Sequence, residues 1–311
     1  MRPLLPVVAL LVACASPAGG PAAGSPNASP DAHAAGLSTL ETRLSSAISA
    51  VPGAEVAVWF RDLGSRDSVT IRPDVSFHAA STMKIPVMIE LFRRSDAKLT
   101  SLDNEIFLQN QFASIADSSH FMLSPADDSD SSLYAMVGNN VSLRTLNEHM
   151  ITRSSNLATN VVIQYLDPRR VNATARALGA RNIQVLRGVE DNAAFAKGLN
   201  NSTTARDLGV LLVAIEHGRA ASRASCDSMR AVLLRQEFSG EIPAGLPPGT
   251  PVAHKTGWIT GTLHDAAIVY PRGRSPYALV VLTRGIPKQQ VAQQLIAALS
   301  REVYGWVTTS R

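Results

Sequence analysis

Apolar residues first recur at helical spacing over Leu37, Leu40, Leu44, Ile48 and Val51, where Ser38 and Glu41 have capping-box spacing. Two runs of strand character follow at 54–60 and 67–72, joined by a turn containing Gly64. From about 80 to 236 the pattern is helical. It predicts segments at 84–94, 143–150, 155–166, 168–178, 204–217 and 226–236, with stops at Gly179 and Gly218. Beyond a Pro/Gly-rich stretch at 243–251, strands are predicted at 251–256, 264–270 and 277–284. A last amphipathic helix carries Val291, Leu295, Ile296, Leu299 and Val303 on one face.

Helix, two strands, a helical block, three strands and a helix predict an α/β fold. Its sheet is antiparallel and five-stranded, built from both chain ends with flanking helices, and an all-α domain is inserted between the halves. Connections within each strand group are too short for crossover helices, so pairing is antiparallel. The sheet part is expected at about 37–75 and 245–311, and the helical part at about 76–244.

The first residues read differently. MRPLLPVVALLVAC has one positive charge, a short apolar run and small residues, the shape of a secretory signal over 1–13. Leu11-Val12-Ala13-Cys14 resembles a bacterial lipoprotein cleavage box. That resemblance implies lipidation of Cys14 and a protein exported and anchored to a bacterial membrane, facing the periplasm or the cell surface. Residues 14–36 are mostly Ala, Pro, Gly, Ser and Asn, which predicts a flexible linker. The other cysteine, Cys226, is then left without a disulfide partner.

The 311 residues carry a formal charge of +4 with no Lys/Arg cluster, which argues against nucleic-acid binding. Of 29 basic residues only five are Lys, so each stands out, because Lys can give up its proton and Arg cannot. No Gly-x-Ser-x-Gly, phosphate loop, Cys-x-x-Cys or His-x-x-x-His occurs, so a nucleophile elbow, a nucleotide site and a metal site lack support. The acidic run Asp127-Asp128-Ser129-Asp130 reads as a solvated loop.

Ser-x-x-Lys occurs twice, at Ser81/Lys84 and Ser95/Lys98. The second lies at a polar helix end. Ser81 opens an apolar helix, where a three-residue step puts Lys84 on its face. The helix start favours negative charge at the oxygen, and apolar surroundings depress the lysine. Ser154-Ser155-Asn156 follows at a helix start, and Lys255-Thr256-Gly257 at the end of a strand.

These three motifs in this order resemble the serine β-lactamase and penicillin-binding protein superfamily, its class A branch most closely, from about residue 37 to the end. The resemblance implies that Ser81 is the acylated nucleophile and Lys84 its base or part of the relay. Ser154 would pass a proton to the departing nitrogen, lying between Lys84 and Lys255. Asn156 would bind the substrate amide and Lys255 and Thr256 the substrate carboxylate, with Gly257 and Trp258 also among the substrate-binding residues. The backbone N–H groups of Ser81 and Trp258 would form the oxyanion hole. Glu190, in Arg187-Gly188-Val189-Glu190-Asp191-Asn192, would activate the deacylating water. An extra residue separates Arg187 from Glu190 and Ala194 stands where the family has Asn, so Asp191 competes for that role. Ser155 replaces the usual Asp of the second motif, Trp258 narrows the pocket, and His264 is the nearest substitute for a missing Arg on the following strand. The implied substrate is a β-lactam opened through an acyl-enzyme, by a monomer without cofactor or metal. A D-Ala-D-Ala peptidase or another serine amide or ester hydrolase of the cell envelope is the second reading, and a non-catalytic binder of cell-wall peptide the third.

Overall fold

The computed structural model describes residues 30–309, together with Met1 and Pro3. The expected signal segment and Cys14 lie outside the described residues. Helix α1 spans Pro30–Ser49, so helix already covers the end of the stretch read as linker. Ser38 therefore sits inside the helix rather than at its cap, and its carbonyl accepts from Thr42 Oγ1 at 2.9 Å.

Strands β1 (Glu55–Asp62) and β2 (Ser68–Ile71) come from the first half of the chain. Strands β3 (Val252–Ile259), β4 (Thr262–Val269) and β5 (Tyr277–Arg284) come from the second. They form one antiparallel sheet in the order β2-β1-β5-β4-β3. β1 and β5 are central and buried on both faces, which is why they read as continuous apolar runs rather than alternating ones.

Two cores flank the sheet. Val56, Val58 and Phe60 of β1 join Leu40 and Leu44 of α1 and Ile296, Leu299 and Val303 of α9 (Gln289–Thr309). Ala57 and Trp59 point the other way, into the core of the helical part. There α7 (Ala205–Glu216) lies on the sheet, and Gly209 permits it: a Cβ at that position would collide with the Trp59 ring.

The helical part surrounds α2 (Lys84–Asp96), whose residues from Lys84 to Phe92 are all buried. Around it stand α3 (Leu143–Thr152), α4 (Asn156–Leu166), α5 (Pro168–Ala177) and α8 (Arg223–Leu233). α8 begins three residues earlier than its periodicity suggested, because Ser222 Oγ caps it by accepting from Ser225 N at 3.2 Å. The stretch 101–142 is not helical throughout. Glu105–Phe107 pairs with Asn140–Ser142, and Phe112–Ala113 with His120–Phe121. Among the described residues no helix is long and apolar enough to cross a membrane. Cys226 is buried and free.

Candidate active site

Ser81 lies in a 3₁₀ turn, Ala80–Met83, that feeds directly into α2. Ala80 holds φ +44°, a region unfavourable to a residue with a Cβ. His78 helps hold that turn, its Nδ1 accepting from Ala80 N at 3.0 Å. Lys84 opens α2 with no exposed surface. Its Nζ donates to Ser154 O at 2.6 Å, to Ser154 Oγ at 3.0 Å and to Asn156 Oδ1 at 3.2 Å. The first two motifs, 70 residues apart in sequence, thus meet at one amine.

Ser154 is 7% exposed and also left-handed, at φ +59°. Ser155 is fully buried and caps α4, accepting from Ala158 N at 3.2 Å, so its part is structural. The same helix start is closed by Asp128, whose carboxylate accepts from Asn156 N at 3.0 Å, Leu157 N at 2.9 Å and Tyr134 Oη at 2.9 Å. Its neighbour Asp130 is 5% exposed and contacts His149 Nδ1 at 2.5 Å. The acidic run is therefore solvated only at Asp127 and Ser129, while Asp128 and Asp130 are built into the fold. Four orphan donors at a helix N-terminus need acceptors, and Asp128 supplies one beside the site.

The loop carrying Glu190 is held from below. Arg187 is 6% exposed and its guanidinium donates to Leu199 O, Gly188 O and Asn200 Oδ1 at 2.9–3.2 Å. Asn160 of α4 clamps Val189 with both amide atoms: Oδ1 accepts from Val189 N at 2.6 Å, and Nδ2 donates to Val189 O at 3.0 Å. Gly188 is the adjoining residue because a Cβ there would strike the Asn160 amide. Glu190 follows at φ +61°, its Oε1 accepting from Asn156 Nδ2 at 3.3 Å. Asp191 is differently employed. Only 2% exposed, it caps α6 (Asn192–Ala196) by accepting from Ala194 N at 3.0 Å and takes bonds from Ser114 Oγ and Ile115 N. Of the two candidate carboxylates, Glu190 is the one on Asn156.

Strand β3 runs past the nucleophile. The Lys-Thr-Gly motif lies in the middle of this strand rather than at its end. Gly257 permits the close approach: a Cβ would stand 3.0 Å from both Ser81 N and Thr82 N, so the strand or the turn would have to give way. Lys255 is fully buried and donates to Thr256 O at 3.0 Å. His264, expected as a substitute for Arg, is fully buried and unavailable. Its Nε2 sits 2.8 Å from His78 O, and burial pushes the imidazole down to about 4, leaving it neutral. It supports the nucleophile turn instead of facing substrate.

The electrostatics follow from enclosure. Burial drives the Lys84 ammonium well below its usual range; the Lys255 charge adds to this, while Asp128 and Glu190 oppose it. Burial likewise brings Lys255 down to about 7, against the pull of Asp265 and Glu241. Glu190 is raised, first by burial and then by Asp127 and Asp128, with Lys84 and Arg187 pulling the other way. Two lysines that release protons easily and a carboxyl that accepts one readily are the components of acid–base work near neutrality.

A cavity of about 900 Å³ joins these groups, lined by Ser81, Ser154, Asn156, Glu190, Thr256 and Trp258 among others. His78, Asn160 and Glu241 escaped the sequence reading, and Asp128 reads there only as part of a solvated loop. The i, i+4 repeat of Asn156 and Asn160 on one helix was the available signal for the loop clamp; the other three carried none.

Three comparisons bear on this arrangement. The profile of the β-lactamase enzyme family matches residues 39–307. A β-lactamase of Streptomyces albus G is 28% identical over 256 residues, covering 81% of this chain and 79% of that one. One from Bacillus amyloliquefaciens is 25% identical over 258 residues, covering 80% and 78%. Among solved structures, PBP-A superposes with a TM-score of 0.75 at 26% identity over 86% of this chain and 96% of its own. The β-lactamase of Sphaerobacter thermophilus gives 0.73 at 25% over 86% and 97%. With the Ser81, Ser154 and Lys255 motifs gathered in one cavity of this fold, the chain belongs to the β-lactamase enzyme family, as a serine hydrolase of the class A type.

Proposed function

We propose that the protein hydrolyses the β-lactam amide through a Ser81 acyl-enzyme that is released by water activated at Glu190. The observation that carries this is the hydrogen-bonded run Ser154–Lys84–Asn156–Glu190, which ties the groups for both half-reactions together. Burial pushes the Lys84 ammonium well below its usual range, so it gives up a proton readily and then has a lone pair for the Ser81 proton. Ser81 Oγ then bonds to the lactam carbonyl carbon, and the negative charge on the carbonyl oxygen faces the N–H groups of Ser81 and Trp258. The C–N bond breaks as Ser154 hands its proton to the ring nitrogen and regains one from the Lys84 side. Lys255 and Thr256 meet the substrate carboxylate, and Asn156 the side-chain amide. In the second half, Glu190 takes a proton from water, hydroxide adds to the ester, and Ser81 leaves with a proton returned to it.

The likeness to PBP-A, of which a variant was captured as an acyl-enzyme with penicillin G, favours one further reading. In it the protein is acylated but releases the acyl group slowly, as a D-Ala-D-Ala peptidase would. Anchoring through a lipid on Cys14, at a bacterial membrane, suits either reading and remains part of this proposal, as does a monomeric state.

Time-resolved intact mass with a penicillin, beside Ser81→Ala and Glu190→Ala, tests this. Hydrolysis with a transient adduct on wild type, a persistent adduct on Glu190→Ala and none on Ser81→Ala is the expected result. A persistent adduct on wild type transfers the case to the peptidase reading. No adduct at all overturns both.

A further inference from the structure

The run Asp128-Ser129-Asp130 lies against the second motif, one contact for each of its residues. The Asp128 carboxylate accepts from Asn156 N at 3.0 Å and from Leu157 N at 2.9 Å. Ser129 Oγ donates to Arg153 O at 2.8 Å and lies 3.1 Å from Ser154 O. Asp130 holds His149 Nδ1 at 2.5 Å, and the His149 carbonyl accepts from Ser155 N at 3.0 Å. Closing a helix start needs only the first of these contacts. Ser154 stands at φ +59°, a backbone state that persists only where its surroundings enforce it.

Asp128 has the greatest leverage on the chemistry. The residue whose backbone it fixes, Asn156, carries the amide that accepts from Lys84 Nζ at 3.2 Å and donates to Glu190 Oε1 at 3.3 Å. Both contacts sit at the long end of the hydrogen-bond range, so a small rotation of Asn156 breaks them. The carboxylate is itself held in place, accepting also from Tyr134 Oη at 2.9 Å and Asp130 N at 3.1 Å, and it lines the cavity. Its charge reaches both reacting groups. It supports the Lys84 ammonium, as Glu190 does, against burial and Lys255. It raises Glu190 together with burial and Asp127, while Lys84 and Arg187 pull that carboxyl down.

We propose that Asp128 is a positioning residue for the reaction: by holding the backbone of Asn156 it aims the amide that joins Lys84 to Glu190. The proposal rests on the assignment of Glu190 as the base for water. Asp128 moves no proton itself, because four donors already occupy its oxygens.

Asp128→Ala and Asp128→Asn are compared with wild type in three measurements. These are the melting temperature, the rates of acylation and release with a penicillin as a function of pH, and a ¹³C NMR titration of the Glu190 carboxyl without substrate, assigned through Glu190→Gln. Asp128→Ala should release its acyl group about 10²-fold more slowly, the cost of displacing a reacting group by about 1 Å. Asp128→Asn keeps an acceptor for Asn156 N and should recover release to within about tenfold of wild type. Without the negative charge at 128 Glu190 ionises at lower pH, so the acid limb of release and the NMR midpoint should both move down in Asp128→Asn. A residue that only capped α4 would move neither. Release by Asp128→Ala at the wild-type rate, or a Glu190 midpoint unmoved in Asp128→Asn, would overturn the proposal. Wild type that forms no adduct, or never releases one, strikes the reading of Glu190 instead. The titration needs no turnover and still decides: a lowered midpoint upholds the coupling of Asp128 to Glu190, and an unmoved one ends it.

Discussion

Replacing Asn160 by Ala removes the two hydrogen bonds that fix Val189, the residue before Glu190. Each neutral bond is worth about 1 kcal/mol net, and the backbone N–H and C=O left behind add a desolvation cost that partial exposure of Val189 moderates. The sum is about 2 kcal/mol, or a fall of about 4–8 °C in Tm for a domain of this size. The functional consequence is larger than the stability loss. Glu190 sits at φ +61°, a conformation that persists only while its neighbours enforce it. Freed of the clamp, its carboxylate drifts from Asn156, and a displacement of about 1 Å at a reacting group costs about 10²-fold. Acylation, assigned by the proposed mechanism to Lys84 and Ser154 on the other side of Asn156, should keep its rate. A stopped-flow burst with a chromogenic cephalosporin, read beside intact mass, should therefore show normal acylation followed by slow release. Asn160→Asp keeps the acceptor for Val189 N and loses the donor to Val189 O, so it should fall between. A variant that melts lower yet releases its acyl group at the wild-type rate would show that the clamp stabilises the fold without positioning Glu190.

Gly257→Ala brings a Cβ to 3.0 Å from Ser81 N and Thr82 N, both backbone atoms that cannot swing aside, so acylation should fall at least about 10²-fold with modest change in Tm; near-normal acylation would mean that the strand has room to retreat. Asp191→Asn loses the carboxylate that caps α6 and holds Ser114 and Ile115, and is expected to lower stability by about 1–2 kcal/mol in urea melts while deacylation persists. Deacylation abolished by Asp191→Asn and untouched by Glu190→Gln would exchange the roles given to the two residues. Lys255 falls to about 7 in the folded protein from its usual 10.5, so between pH 7 and 9 the unfolded chain binds more protons. Stability should then rise with pH over that window, by up to about 1.4 kcal/mol per unit for this group, with Lys84 adding in the same direction. Lys255→Met should flatten that rise in urea melts at pH 7 and 9. For the same reason KM for an anionic substrate should climb as pH passes about 7 and the ammonium is lost.

By itself the sequence determined the order of the five sheet strands and the main helices, the antiparallel sheet from both chain ends, and Ser81, Lys84, Ser154 and Lys255 as the candidate residues. Periodicity reports which face of an element is buried, and Ser-x-x-Lys spans one helical turn, so both are local properties. α1 is the instructive departure. Its start at Pro30 cannot be read from small and polar residues, because helix there depends on continuity with the packed segment around Leu40 and Leu44. Only the tertiary structure shows where Glu190 and Asp191 are held, since adjacent residues of one loop point wherever distant partners pull them: Asp191 to Ser114, Glu190 to Asn156. The same holds for Asp128, an acidic loop residue by sequence that becomes the cap of α4 only when the chain returns 28 residues later. His264 and Glu241 show the limit from the other side. Their charge and availability are set by burial against His78 and Gln293, contacts 186 and 52 residues away, and no local pattern encodes the solvent that the fold removes.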